Sequence, residues 1–524
     1  MKNKNRVICM IIIFILVIGT TFSAKKPKDY ELVITHVNDV HGRVVEGKYD
    51  GVGYARIDQI NKNLKDDKLN KNVIMVDAGD SFHGTTFATL EKGESIVKIL
   101  NKLGLKAATL GNHDFNYGSE RTKELKALSN YKILATNVKY KKTGENFTTK
   151  YIIEEIEGIK VGIFGLSTPE TLYKTNPKNV EDLEFLEPIT VARETVKELQ
   201  ENGVKFIIVL THLGDDLSTK EEWRSTTLAE KVEGINLIID GHSHTQREKK
   251  EVINGTVLVQ TGEYGKNIGV LKIDFDSLKD GSDAIEYKLL KKDEIMGKKN
   301  KKGEFVGGII QSKRISSLID EIKLKQNKIT EVIIGNTDVL LVGEREFVRS
   351  SETNLSNLIN DSMIWKSKAD LSITNGGGIR ASIKEGDITV GDIITTLPFG
   401  NYVVTKELTG KDIKVALEHG FKDLPNSAGS LAQIGGITLE LDLTKSQGNR
   451  VSNIKFKNGK KFDLNATYIV ATNDFMAVGG DGYSSFKGRK EVANFLGLDE
   501  ILIEYIKTGK KIPKKEEGRV KIKK

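Results

Sequence analysis

Cysteine is almost absent from this chain: among 524 residues there is only Cys9, inside an apolar run near the N-terminus. Disulfide frameworks and thiolate metal sites are therefore excluded from everything that follows it. Cys9 has no lipobox-like surroundings, so lipidation is not expected. Low-complexity tracts and internal repeats are missing too. With hydrophobic residues at 38% and charged residues at 29%, a disordered chain is excluded. A large excess of one charge is also lacking. The formal balance is +8, and Lys2, Lys4 and Arg6 supply three of the 80 basic residues, leaving 77 against 72 acids. That balance gives no footprint for a nucleic acid polymer, and the Lys clusters at 291–302 and 509–524 read as solvated surface.

Long apolar runs are confined to Val7–Gly19, which is short of the roughly 20 residues a spanning helix needs. It follows the basic stretch Met1–Arg6 and precedes Thr20, Thr21, Ser23 and Ala24. That is the shape of a signal peptide over 1–24, an uncleaved anchor being the other reading. The expectation is export, to the periplasm in preference to the medium or the cell surface, without membrane association once the segment is removed. No C-terminal apolar tail or sorting-like pattern points elsewhere.

Single cores stop growing at roughly 250–300 residues, so this length predicts two domains. From Tyr30 to about residue 290, short β-branched runs alternate with helical patterns. The runs are Leu32–Val37, Val73–Asp77, Ala107–Leu110, Val161–Gly165, Phe206–Leu210 and Leu237–Asp240. Between them, segments such as Ile96, Ile99, Leu100 and Leu103 put apolar residues on one helical face. A layered α/β domain is predicted. Residues 291–308, rich in Lys and Gly, read as a linker, and Ile315, Leu318, Ile319 and Ile322 mark the buried stripe of a following helix. A second α/β pattern begins near 331.

Polar clusters recur directly after the first domain's strands. They are Asn38-Asp39-Val40-His41-Gly42, Gly79-Asp80, Gly111-Asn112-His113-Asp114, Thr211-His212 and Gly241-His242-Ser243-His244. Open α/β sheets bind ligands beyond the carboxyl ends of their strands, so these five clusters are predicted to converge at one edge. Asp, Asn and His without Cys suit Zn²⁺, Mn²⁺ or Co²⁺. A carboxylate can bridge two ions about 3.5–4 Å apart, where they activate a water for attack on phosphorus. Of the other histidines, His36 reads as a core residue of the first strand. His83 reads as supporting the pocket or lying on the surface, and His419 as capping the helical pattern Asp412–His419 or facing solvent.

In the second domain, Asn375-Gly376-Gly377-Gly378-Ile379-Arg380 follows the apolar run Leu371–Thr374. Its glycines let backbone amides approach a ligand, and Arg380 offers a planar fork for phosphate or carboxylate. Leu397-Pro398-Phe399-Gly400-Asn401 and Asn473-Asp474-Phe475 each set a Phe in a polar loop, and Gly479-Gly480-Asp481-Gly482 follows. Two such rings make a slot for a flat base, unless each packs into the local core.

The first-domain series resembles the calcineurin-like metallophosphoesterases, and most of all their 5′-nucleotidase branch. Arg349 in Phe347–Leu358, Asn375–Arg380, Leu397–Asn401 and Asn473–Gly482 resemble the C-terminal domain of the same family. The likeness covers nearly the whole chain after the signal peptide. It implies a four-layer metallophosphoesterase sandwich (29–300), a linker and helix (301–330) and a smaller α/β nucleotide-recognition domain (331–524). It further implies a monomer that hydrolyses small-molecule nucleotides and whose domains rotate against each other. Asp39, His41 and His244 would hold one divalent ion, Asn112, His212 and His242 the other, and Asp80 would bridge them. His113 would act beside the phosphate. Phe399 and Phe475 would stack on the base and Asp481 would bind the ribose. Arg349, Asn375, Gly377 and Arg380 would hold the nucleoside or its phosphate. One departure stands out: many relatives carry Asp three residues after that His, and here it is Asn116. Asn at this place resembles the 2′,3′-cyclic nucleotide phosphodiesterases with 3′-nucleotidase activity, a second substrate class. A catalytically silent nucleotide-binding protein is a third reading, against which the complete ligand set argues.

Overall fold

The computed structural model describes residues 29–47, 51–175, 177–217, 219–299 and 305–523. Cys9 and the segment read as a signal peptide lie outside them. Among the described residues no helix is long and apolar enough to cross a membrane.

All six predicted strand runs are strands, and they fall into two six-stranded sheets. The first runs Ile285–Lys291, Asn267–Ile273, Leu32–Val37, Val73–Asp77, Ala107–Thr109, Lys132–Leu134. Its last four strands are parallel and the first two antiparallel. The second runs Glu251–Ile253, Thr256–Val259, Leu237–Ile239, Phe206–His212, Ile159–Ser167, Tyr151–Ile156, parallel except at its two edges. Alternation along each strand explains the layering. Leu32 and Ile34 point into a core shared with Ile163, Ile208 and Ile239 of the other sheet. Val37 points the opposite way, among Ile57, Ile60, Ile99 and Leu103 of the helices Tyr54–Asp66 and Glu94–Leu103. Ala192, Val196, Leu199 and Leu228, from Pro188–Glu201 and Ser225–Lys231, cover the outer face of the second sheet. The result is four layers, helix, sheet, sheet, helix, and the parallel strands all deliver their carboxyl ends to one rim.

Of the stretch expected to be a linker, residues 300–304 lie outside the described residues, and the parts on either side are ordered. Lys292–Met296 is a helix that buries Ile295 and Met296 in the first domain's outer core, and Gly297–Lys299 pairs with Phe305–Gly307. Helix Lys313–Thr330 follows, with Ile315, Ile319 and Ile322 in the same core and Leu318 packed at its edge. Its far end touches the helix Val390–Thr396 of the second domain. That domain holds a five-stranded sheet in the order Ala432–Gly435, Leu371–Asn375, Thr467–Asn473, Tyr402–Thr409, Glu491–Gly497, beside a three-stranded one.

His36 is the core residue expected. It shares the inward face of its strand with Leu32 and Ile34 and is wholly buried, with neither ring nitrogen hydrogen-bonded. A Cβ at Gly269, its partner across the ladder, would overlap the ring. Burial lowers the pKa of His36 to about 3. As pH falls below 6.5 the unfolded chain takes up a proton that the folded chain refuses, so stability is full above 6.5 and drains toward pH 3. The loss from this residue is about 1.4 kcal/mol per pH unit. Urea unfolding between pH 6.5 and 5 should therefore show a shallower acid loss in His36→Leu than in the parent; equal slopes would contradict the assignment.

Candidate functional site

The predicted metal residues gather at the rim, on turns that leave the strands sharply. Of twelve non-glycine residues with positive φ among the described residues, five are Asp39, His41, Asp80, His242 and His244. Left-handed backbone at such residues costs on the order of 1–3 kcal/mol each and persists only where the surroundings fix it. Asp and His tolerate it better than bulky residues do.

The fixing is visible. Asp114 accepts four backbone N–H groups, from Asp80 and Gly111 on one oxygen and from Ser81 and Phe82 on the other, at 2.8 to 3.0 Å. It clamps the Asp80 turn to the Asn112 turn. Asp240 accepts from Thr211 Oγ1 (2.7 Å) and from the N–H of Leu213 and Gly214, which holds the His212 loop. Asn38 donates to Asp39 Oδ2 (2.7 Å) and accepts from the N–H of Thr261.

Two acid–imidazole groups result: Asp39, His41 and His244, and Asp39, Asp80 and His212. The two Nε2 atoms of His41 and His244 lie 3.3 Å apart, and His244 Nε2 is 3.3 Å from Asp39 Oδ1. His212 Nε2 stands 3.2 Å from Asp80 Oδ2 and 3.7 Å from Asp39 Oδ1. Asp39 belongs to both groups, and Asp80 Oδ2 also faces a histidine of each, 3.2 Å from His212 Nε2 and 3.9 Å from His41 Nε2. His212 donates Nδ1–H to the Ala78 carbonyl (2.7 Å), which turns Nε2 toward those carboxylates. Neither His212 Nε2 nor the buried Asn112 Oδ1 has a hydrogen-bond partner. Imidazole nitrogens turned toward carboxylates, with an unpartnered amide oxygen nearby, are a donor set suited to a divalent cation, which would displace the imidazole protons. The protonation pattern shows the same demand for positive charge. Burial opposes charging His212 and His244, yet the carboxylates beside them outweigh it and raise both to about 10. His41 and His113, where burial wins, are lowered.

His242 stands apart from both groups, its Nε2 2.7 Å from Glu170 Oε2. Glu170, buried and held by Tyr173 Oη (2.6 Å) and Thr219 Oγ1 (3.0 Å), was not among the sequence candidates. Asn116 turns its amide nitrogen to His113 Nδ1 (3.1 Å) and accepts from Thr175 Oγ1 (2.9 Å), which leaves the His113 proton on Nε2. His83 is buried, with its ring nearly parallel to that of His113 at 6.2 Å and its Nε2 3.2 Å from Glu500 Oε2. It is a supporting residue, not a surface one.

The second domain reaches over this centre. Tyr402 packs 4.3 Å from the His113 ring, and Asn494 shares the Lys174 carbonyl with Asn112. A cavity of about 220 Å³ remains there, bounded by Asp80, His113, Glu170, His242, Tyr402 and Glu491.

A separate cavity of about 670 Å³ is lined by Arg349, Asn375, Gly377, Arg380, Phe399, Phe475 and Asp481, all seven predicted residues, with Arg43 and Thr85 of the first domain on its wall. Phe399 and Phe475 are 40% and 43% exposed, so neither packs into a local core. Asn375 Nδ2 donates to Asp481 Oδ2 (2.7 Å), and the Arg380 guanidinium lies 5.4 Å from the Phe399 ring centre. His419 neither caps its helix nor simply faces solvent: its Nε2 donates to the Asp481 carbonyl.

Comparison with known proteins agrees with both halves. Residues 32–246 match the calcineurin-like phosphoesterase family and residues 333–488 the 5′-nucleotidase C-terminal domain. The chain is 34% identical to the trifunctional nucleotide phosphoesterase protein YfkN of Bacillus subtilis, over 94% of its own length but only 35% of that protein's. It is 31% identical to the 5′-nucleotidase of Vibrio vulnificus, covering 91% of this chain and 90% of that one. Among solved structures, a 5′-nucleotidase precursor from Thermus thermophilus is 30% identical with a TM-score of 0.54, over 94% of this chain and 99% of that one. The NAD nucleotidase of Haemophilus influenzae shares the fold, with a TM-score of 0.73 at 23% identity over 94% and 99%. With a metallophosphoesterase sandwich, a ligand set fit for divalent cations and the matching C-terminal domain, the chain belongs to the 5′-nucleotidase family of metal-dependent phosphoester hydrolases.

Proposed function

We propose that the chain is a two-metal 5′-nucleotidase releasing nucleoside and inorganic phosphate. The observation that carries this reading is one cavity joining Phe399, Phe475, Asp481, Asn375, Arg349 and Arg380, in a chain that also holds a buried Asp/His centre. Asp39, His41 and His244 would hold one divalent ion, Asn112, His212 and His242 the other, and Asp80 would serve both, with Zn²⁺ or Mn²⁺ preferred and Co²⁺ accepted. Such ions, when bound, lower the pKa of a water and neutralise phosphoryl charge.

The chain's own groups do the rest. The Phe399 and Phe475 rings sandwich the base, and Asp481 and Asn375 take the ribose. Arg349, Arg380 and the Gly377 backbone hold phosphate. Rotation of the second domain lifts Tyr402 from His113 and brings the nucleotide's phosphate to the rim. Neutral His113 then donates a hydrogen bond from Nε2–H to a phosphoryl oxygen or the departing ester oxygen, keeping its proton, while Asn116 orients the ring. Water oxygen bonds to phosphorus, the bond from phosphorus to the ester oxygen breaks, and the proton lost by water balances that gained by the alcohol. The functional unit is an exported monomer, acting in the periplasm, with a catalytic domain over 29–300, a linker and helix over 301–330 and a recognition domain over 331–524.

Asn116 against His113 supports a second reading, hydrolysis of 2′,3′-cyclic or 3′-nucleotides, since an amide supplies no charge to an imidazolium. Phosphate release from metal-stripped protein resupplied with Zn²⁺, Mn²⁺ or Co²⁺ should be fastest with AMP. Turnover confined to 2′,3′-cyclic AMP or 3′-AMP would replace the first reading by the second. Asp80→Ala should lower metal-dependent kcat on the order of a hundredfold or more, and retained activity would overturn the ligand set. Phe399→Ala should raise KM for AMP about tenfold, in line with the value of one base–aromatic stack; an unchanged KM would remove that ring from the base site.

A further inference from the structure

The loop that carries Asp481 is built from backbone that proteins use sparingly. Gly479, Asp481 and Gly482 all have positive φ, and Asp481 sits fully in the left-handed region at φ 51°, ψ 19°. Within the loop only short turns hold this shape, Gly482 N–H to Gly479 O and Tyr483 N–H to Gly480 O, both 3.2 Å. Non-glycine residues stay in such a conformation when something outside the turn fixes them. Here the outside contact is His419, from the last turn of the helix Gly410–Gly420, 62 positions away in sequence.

Three observations converge on it. First, His419 Nε2–H donates to the Asp481 carbonyl at 2.8 Å, the backbone group at the centre of the left-handed turn. Second, the imidazole meets the Tyr483 ring edge-on, with centroids 4.9 Å apart, and Tyr483 in turn is buried and donates its hydroxyl to the Ser430 carbonyl at 2.6 Å. Third, the chain makes room for the ring. A Cβ on Gly482 would stand 2.7 Å from His419 Cε1 and 2.9 Å from Nε2, so a side chain there would drive the ring and the loop apart. On the far side of the loop, Asp481 Oδ2 accepts from Asn375, and a Cβ on Gly480 would strike the Phe475 ring. The loop is thus gripped between His419 on one face and the cavity residues Phe475 and Asn375 on the other.

We infer that His419 is a positioning residue for nucleoside recognition: by holding the Asp481 carbonyl it sets the left-handed turn that presents the Asp481 carboxylate to the ribose hydroxyls. The inference rests on the reading that Asp481 binds the nucleoside. His419 does not touch substrate itself; it acts through the backbone of the residue that does. Its role is specific to substrates with a nucleoside and is silent toward a phosphate ester that lacks one.

The test compares AMP with p-nitrophenyl phosphate, which carries no ribose, on the full-length metal-loaded protein. In His419→Ala, the ratio of kcat/KM for AMP to that for p-nitrophenyl phosphate should fall about five- to tenfold, through KM for AMP and not through kcat, as expected for one lost hydrogen bond acting on ground-state and transition-state binding alike. His419→Gln, which can place a donor near the same carbonyl, should restore most of the ratio. Gly482→Ala, which pushes on the ring from the loop side, should lower it as His419→Ala does and serves if His419→Ala fails to fold. Asp481→Ala separates the two levels of the account. If Asp481→Ala lowers the ratio and neither His419→Ala nor Gly482→Ala does, the positioning role is overturned and the nucleoside reading stands. If Asp481→Ala leaves the ratio unchanged, both are overturned. An equal fall for both substrates in His419→Ala would also overturn the inference, because it would mark a general loss of structure.

Discussion

The structure turns on two carboxylates, Asp39 and Asp80, that are almost wholly removed from water and stand within 4 Å of the Nε2 atoms of His41 and His212, with His244 beside Asp39. Burying such charge without a counter-charge is costly by several kcal/mol per ion even after relaxation. In the metal-free protein the histidines absorb part of the demand by binding protons, His212 and His244 being raised to about 10. A divalent cation satisfies it more completely, because the imidazoles then act as neutral donors and the carboxylates keep their charge. The rim is therefore a region of stored electrostatic and backbone cost. The two packed sheets below, with their shared core, are what hold it in place.

Division of labour follows from the same frame. The first domain supplies rigid strand ends and a charged centre. The second supplies exposed rings and a polar loop for a flat, hydroxylated ligand. Phe399 and Phe475 gain nothing by sitting in water at 40% and 43% exposure unless a ligand covers them. In this structure Tyr402 lies against His113, and the cavity lined by Phe399 and Phe475 is separate from the one at the Asp/His rim.

Much of this was legible in the sequence because it repeats one device: a β-branched run followed at once by Asp, Asn or His. Asp39, Asp80, Asn112, His212 and His242 each follow such a run, and topology brings them to one rim. Glu170 follows the Val161–Gly165 run in the same manner, as Ser167-Thr168-Pro169-Glu170, and was passed over because it lacks a histidine or aspartate at the strand end. Asp114 was visible beside His113, but its task of collecting four N–H groups depends on a turn 32 to 34 residues earlier. His419 could not be read at all, since its partner lies 62 residues on and a helix-terminal His has many uses. The flanks of the stretch read as a linker were hidden for the opposite reason. Its Lys and Gly content masked Ile295 and Met296, two apolar residues that anchor it to the core.

The most direct test of the account is a count of ions. Protein purified without chelator, exchanged into metal-free buffer and analysed by plasma mass spectrometry should retain close to two divalent ions per chain, and His212→Ala should retain about one fewer. A parent protein that holds none, or a His212→Ala variant with the same content as the parent, would show that the buried Asp/His rim is not the metal centre on which this account rests.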